Sequence, residues 1–300
     1  MLKIAWHPDY AHSLPSGHRF PMLKYELLPE QLLHEGTIEA SALFPPDLMA
    51  ERHILLAHSE VYWQKLRNGS FTKSEIRRTG FPYSEALVQR EIRIMQGSLD
   101  CARQALKHGI SMNIAGGTHH AFPEYGEGFC LLNDLALAVL VLMDEGKIKK
   151  PLIVDLDVHQ GNGTAAIFEQ NPDVFTFSMH GQKNFPLRKE KSSLDIELTD
   201  GTGDKEYLSQ LDSNLKMLID SIQPDFIAYQ CGVDVLATDK LGRLKLSIEG
   251  CKQRDKLVLE TAHQNQIPLM AAMGGGYSED IKHIVEAHAN TFRLAQEIYF

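Results

Sequence analysis

Short runs of apolar residues recur along this chain at 2–6, 112–115, 152–156, 174–178, 226–230 and 269–273. Between them lie longer stretches in which apolar positions return every three or four residues, at 84–108, 130–145, 204–221, 247–264 and 278–298. The short runs read as strands buried on both faces and the long stretches as amphipathic helices. Strands of this kind alternating with helices predict an α/β fold: a central, mostly parallel sheet in a three-layer α/β/α arrangement. Right-handed crossovers then bring the C-terminal strand ends to one edge, where ligands of such sheets collect. Length alone suggests about two domains. With no repeat, no low-complexity stretch and no Pro/Gly/Ser linker, a single domain over 1–300 is expected instead.

Polar residues cluster just past five of the predicted strands. Gly116-Gly117-Thr118-His119-His120 follows the second. Asp155, Asp157 and His159 end the third, Ser178 and His180 the fourth, Gly232 and Asp234 the fifth, and Gly274-Gly275-Gly276-Tyr277 the sixth. Delivered to one sheet edge, these five segments make a site.

Within it, Asp155, Asp157 and His159 are spaced by two, so an extended backbone points them to one side. Two carboxylates at the end of a core strand need a cation or strong donors. Asp157, His159 and Asp234 supply three protein ligands and leave a position open, the arrangement of a catalytic zinc site. The bland alternative is that Asp155 caps a loop and His159 is a satisfied polar residue; Asp234 and the paired histidines weigh against it. His119 and His120 follow two glycines that let the backbone turn tightly, and suit proton transfer near neutral pH, with Asp155 placed to orient one ring. Without such a role they would be a surface pair. Tyr277, on a glycine-rich loop, is either a packed aromatic or a phenol brought to a developing oxyanion.

Composition narrows the picture without deciding it. Thirty basic against 39 acidic residues leave a net charge of −9, which argues against a general nucleic-acid binder and is compatible with cationic partners. Cys101, Cys130, Cys231 and Cys251 form no C-x-x-C pair, as in a reduced intracellular protein with buried thiols. The longest apolar run, 131–143, is too short to span a membrane and contains Asn133 and Asp134. The chain starts without a charged-then-apolar leader, so a cytoplasmic location is expected. Fourteen histidines are an unusual number that composition alone cannot interpret.

The segments GGTHHAFPEYGEGFCLLNDLALA, IVDLDVHQGNGTAAIF, QCGVDVLATDKLG and MGGGYS, in this order, resemble the zinc-dependent histone deacetylase superfamily, and LPSGHRFPMLKYELL resembles its bacterial members. The likeness spans roughly residues 7 to 280, and DLDVHQGNG is closest to the class IV branch. It implies the arginase/deacetylase fold and zinc-dependent hydrolysis of N6-acetyl-lysine or another N6-acyl-lysine in a protein or peptide. By residue, it implies Asp157, His159 and Asp234 as zinc ligands, His120 as general base and then acid, and His119 as its companion held by Asp155. It further implies Tyr277 as the phenol polarising the carbonyl, and Gly128, Phe129, Phe185, Gly275 and Gly276 as the acyl-lysine channel. Asp155, Asp157, His159, Ser178 and Met179 match a monovalent-cation site, usually potassium. Gln160 and Asn162 stand where class I members carry His and Asp, so His120 should be the weaker base for its neutral partner, yet active, since an amide oxygen still accepts from the imidazole.

Three rivals remain open on the residues. A two-metal arginase-type ureohydrolase would need carboxylates where this chain has Gly161, Gly232 and Leu236. An acetylpolyamine amidohydrolase, or a deacylase for longer chains, would share the chemistry. A non-catalytic acyl-lysine binder would not need the intact base and phenol. Oligomeric state is left open.

Overall fold

The computed structural model describes residues 1–300. In chain order the elements are β1 (Lys3–Ala5), α1 (Lys24–His34), β2 (Leu43–Phe44), α2 (Glu51–Ile54), α3 (Glu60–Asn68), α4 (Lys73–Thr79), α5 (Glu85–His108), β3 (Ile110–Asn113) and α6 (Asp134–Asp144). They continue as β4 (Pro151–Asp155), α7 (Asn162–Phe168), β5 (Phe175–Gly181), β6 (Leu194–Leu198), α8 (Asp204–Ile222), β7 (Phe226–Gln230), α9 (Ile248–Gln264), β8 (Leu269–Ala272) and α10 (Ile281–Tyr299).

All eight strands join one sheet in the order β2-β1-β3-β8-β7-β4-β5-β6, and every pairing is parallel. The expected α/β architecture is therefore what is found. Helices α5, α6 and α7 pack successively on one another, as do α1, α10, α9 and α8, and the sheet lies between the two groups. The central strands β3, β8, β7 and β4 are buried at every residue, which is why they read as unbroken apolar runs. A continuous core of 82 residues runs from Leu2 to Ala295.

The six predicted strands all exist, and two more were not anticipated. β2 has only two residues, and β6 is a half-buried edge strand interrupted by Asp195 and Glu197. Helices α1 to α4 were not anticipated either: α1 contains Pro29, and α2, α3 and α4 have only 4, 9 and 7 residues. Helix boundaries follow their caps. The Ser84 hydroxyl accepts from Leu87 N at the start of α5, and Gly109 ends it at a positive φ of 86°. α6 begins at Asp134 rather than 130, because Asn133 is extended and its side chain caps Ala136 N. β3 lies two residues earlier than the apolar run suggested, so Ile114 and Ala115 belong to the loop that leads into the two histidines.

Candidate active site

With every strand parallel, the segments after β3, β4, β5, β7 and β8 meet at one edge of the sheet. Asp157, His159 and Asp234 converge there, all three buried, with one potential ligand atom from each within 4.8 Å of the others. His159 Nδ1 lies 3.0 Å from Asp157 Oδ1 and 3.1 Å from Asp234 Oδ2. Two buried carboxylates against one imidazole leave an excess of negative charge that a divalent cation would balance. Without a cation the groups crowd one another: burial and the charge of Asp157 push the Asp234 carboxyl up to about 7. Burial opposes a charged His159, yet its two carboxylate neighbours hold the imidazole up at about 10.

The space for these carboxylates exists because two neighbours lack side chains. A Cβ at Gly232 would overlap Asp157 Oδ2, and one at Gly275 would overlap Asp234 Oδ2. Close approach, rather than flexibility, is what glycine provides here. The residues around the triad thus fit a metal. Gly275 N and Gln230 Nε2 each donate to Asp157 Oδ2 at 3.1 Å, and Val158 N donates to Asp234 Oδ1 at 2.9 Å. These bonds fix the carboxylates and leave Asp157 Oδ1 and Asp234 Oδ2 beside His159.

The paired histidines are buried, not a surface pair. His119 Nδ1 lies 2.7 Å from Asp155 Oδ2. Burial opposes its charged form, but Asp155 and Asp157 outweigh it and raise His119 to about 9. His120 Nδ1 lies 2.7 Å from Asn162 Oδ1, while Asn162 Nδ2 donates to Glu127 Oε1 at 2.6 Å. Because the amide nitrogen is committed to Glu127, Asn162 offers His120 an acceptor, so Nδ1 carries the proton and Nε2 is the basic atom. Burial, and then the neighbouring His119 and His159, hold His120 well below the ordinary histidine range. The two adjacent rings, 4.0 Å apart, are therefore pushed in opposite directions, His119 towards its charged form and His120 towards its neutral one.

Phe185 stacks edge-on against His120 at 4.9 Å, and Gly128 lies against it. Phe129, with φ 68°, and Tyr277 pack with ring centroids 5.9 Å apart, and both line a cavity of about 520 Å³ that opens to the surface. Gly275 lines the pocket beneath this opening, and a Cβ at its neighbour Gly276 would meet Val233 and Ile284. Asp155 and Ser178 are register partners across β4 and β5, and Ser178 Oγ lies 2.9 Å from His180 Nδ1. Met179 follows them in β5.

Several contributors were not legible as such in the sequence. Gln230 reads only as the end of a strand, Glu127 as a loop acid, and Phe20, 5.2 Å from Phe129, as a loop aromatic. Lys24, fully buried, donates from Nζ to Gly274 O at 2.9 Å and so supports the glycine-rich loop from the opposite side of the chain. Arg254 of α9, also fully buried, donates to the carbonyls of Leu156, Cys231 and Gly232, the backbone just before Asp157 and Asp234. Its other partner is Asp255, at 2.7 Å. No sequence signal marks a charged helix residue as a clamp on two loops.

A family model for the histone deacetylase domain matches residues 18–292. The chain belongs to the histone deacetylase family. An uncharacterised protein of Picosynechococcus sp. is 42% identical over 296 residues, covering 99% of both chains. Histone deacetylase 2 of Arabidopsis thaliana is 30% identical over 278 residues, covering 89% of this chain and 72% of the plant protein. Among solved structures, a histone deacetylase homologue complexed with SAHA superposes with a TM-score of 0.85 at 23% identity, over 99% of this chain and 84% of that one. The homologue from Aquifex aeolicus gives 0.82 at 22%, over 98% and 84%. These structures share the deacetylase fold, and membership of the family places the chain among amidohydrolases. No helix is long and apolar enough to cross a membrane, and the four cysteines are buried and unpaired.

Proposed function

We propose that this single catalytic domain hydrolyses the amide of N6-acetyl-lysine, or of another N6-acyl-lysine, with zinc held by Asp157, His159 and Asp234. The observation that carries this reading is one pocket lined by Asp157, His159, His120 and Tyr277 together. Bound there, zinc would polarise the acyl carbonyl and make water acidic enough to attack it. His120 Nε2, kept basic by the proton fixed on Nδ1, accepts the proton of the attacking water. His119, charged through Asp155, stabilises negative charge that develops beside it. Tyr277 keeps its phenol proton, since burial and then Asp234 and Asp157 push its titration far up, and so donates to the carbonyl oxygen as it becomes an oxyanion. The imidazolium formed at His120 then returns a proton to the leaving lysine nitrogen, giving lysine and a carboxylate. Phe129 and Phe185 wall the aliphatic stem. The oxygen-rich set of Asp155, Ser178 and the main chain around Asp157, His159 and Met179 suits a hard monovalent cation such as potassium.

The Asn162 and Gln160 pattern supports a class IV-like assignment. The test is hydrolysis by the zinc-loaded protein of lysine peptides carrying acetyl, lactyl, crotonyl and long fatty acyl groups. Turnover of at least one, abolished by a chelator and restored by zinc, is expected. Zinc-loaded protein inert towards all of them would overturn the reading.

A further inference from the structure

The net charge of −9 invites the expectation of a cationic partner, yet the mouth of the site has the opposite sign. Four exposed cations line the 520 Å³ opening, Arg19, Arg78, Lys183 and Arg243, against one carboxylate, Glu127. Glu127 is already engaged by the Asn162 amide. Lys183 and Arg243 share Asp200, at 4.0 and 3.2 Å, so that side is partly neutralised. Arg19 and Arg78 have no such partner. Each guanidinium instead lies over an aromatic ring, Arg19 at 4.9 Å from the centroid of Phe129 and Arg78 at 4.7 Å from that of Tyr125. A stacked guanidinium is held in place by its face while its N–H fork stays free at the edge, the geometry that receives a carboxylate.

The position of these forks matters. Phe129 is a channel wall, and the backbone of Arg78 and Thr79 accepts hydrogen bonds from Gly128 N and Phe129 N at 3.1 and 2.8 Å. The two arginines therefore ride on the same wall that would flank the lysine stem. When an acyl-lysine fills the channel, its α-carbon and whatever adjoins it emerge among them. Resting on the acyl-lysine reading above, we infer that the preferred substrate carries a carboxylate directly beside the acyl-lysine: an acidic neighbouring side chain in a peptide, or the α-carboxylate of the free N6-acyl-amino acid. The same cations oppose acetylpolyamines, whose remaining amines would be placed against them.

The zinc-loaded protein would be assayed on matched acetyl-lysine peptides flanked by Glu, by Gln or by Lys, on free N6-acetyl-lysine, and on acetylspermidine. Binding of the same peptides would be followed by fluorescence anisotropy. Expected is a kcat/KM at least about tenfold higher for Glu than for Lys flanks at low salt, carried by KM. The gap should narrow at 0.5 M salt, where screening is short-ranged. In the Arg19→Gln, Arg78→Gln double variant, checked for unchanged melting, the Glu-to-Gln preference should collapse towards one. Free N6-acetyl-lysine outperforming the Glu peptide would assign the α-carboxylate as the source. Equal or faster turnover of Lys-flanked peptides or acetylspermidine overturns the inference. If no probe is hydrolysed, the deacylase reading fails instead, and anisotropy still decides the rim: equal or weaker binding of the Glu peptide than the Lys peptide refutes it.

Discussion

His120 Nδ1 faces the amide oxygen of Asn162 at 2.7 Å, where its neighbour His119 faces a carboxylate at the same distance. The neutral partner, itself anchored by Glu127, orients His120 without charging it. Asn162→Asp should stabilise the imidazolium, so the acidic limb of the kcat/KM pH profile moves to higher pH. Asn162→Ala removes the acceptor and should cut kcat by about 10- to 100-fold with the metal retained. A wild-type profile in both variants would sink the assignment.

Tyr277→Phe keeps the ring that packs 5.9 Å from Phe129 and loses only the hydroxyl. Its kcat should fall by about 10² or more, the loss of one oxyanion donor, while metal content by elemental analysis is unchanged.

Metal uptake should release protons. The metal-free His159 is held up at about 10 and Asp234 at about 7, and both must be deprotonated to bind a cation. Apparent affinity should therefore rise between pH 6 and 8, and calorimetry in buffers of different ionisation enthalpy should show proton release at pH 7. His159→Ala or Asp157→Asn should abolish tight binding altogether.

His58 accounts for a different kind of pH dependence. It is buried, its Nδ1 lies 3.0 Å from Phe122 O, and its Nε2 accepts from Asn133 N at 3.0 Å, just where α6 begins. Both contacts fit the neutral ring, and burial depresses it to about 4. Between pH 4 and 6.5 the unfolded chain takes up a proton that the fold refuses, so stability is full above 6.5 and declines as pH falls towards 4. This one group contributes about 3 kcal/mol to that decline. Urea unfolding of the wild type and His58→Gln at pH 7 and 4.5 should show a smaller loss in the variant.

Arg254→Met leaves Asp255 without its guanidinium and three carbonyls without a donor. A loss of about 3–5 kcal/mol is expected, the range for breaking a buried pair, read by denaturant midpoint. Weakened metal binding should accompany it, because the clamped backbone leads directly into Asp157 and Asp234.

The chain's pattern disclosed the sheet and the site through features of very different strength. β4, β7 and β8 are buried on both faces, so their apolar runs were unambiguous, and their parallel order alone was enough to gather Asp157, Asp234 and Gly275. β6 was hidden because an edge strand with one wet face carries Asp195 and Glu197 and resembles a loop. The same logic separates the site residues. Ligands and histidines stand beside glycines in compact motifs, whereas Lys24, Glu127 and Arg254 act through contacts between distant segments that no local spacing encodes. Net charge is silent on such local detail, since a total of −9 is an average that conceals a basic rim only a few side chains wide.

The Arg254 clamp also imposes an order on biosynthesis. Asp157, His159 and Asp234 all leave the ribosome before α9, but the backbone leading into Asp157 and Asp234 gains its guanidinium clamp only once that helix docks. Until α9 docks, the β4–β7 pairing and the Val158 N–Asp234 Oδ1 bond can join these segments, but the carbonyls of Leu156, Cys231 and Gly232 lack their donor. The proposed metal would therefore be held firmly only after the C-terminal layer has docked, a step set by folding rather than by the synthesis of Asp157, His159 and Asp234 themselves.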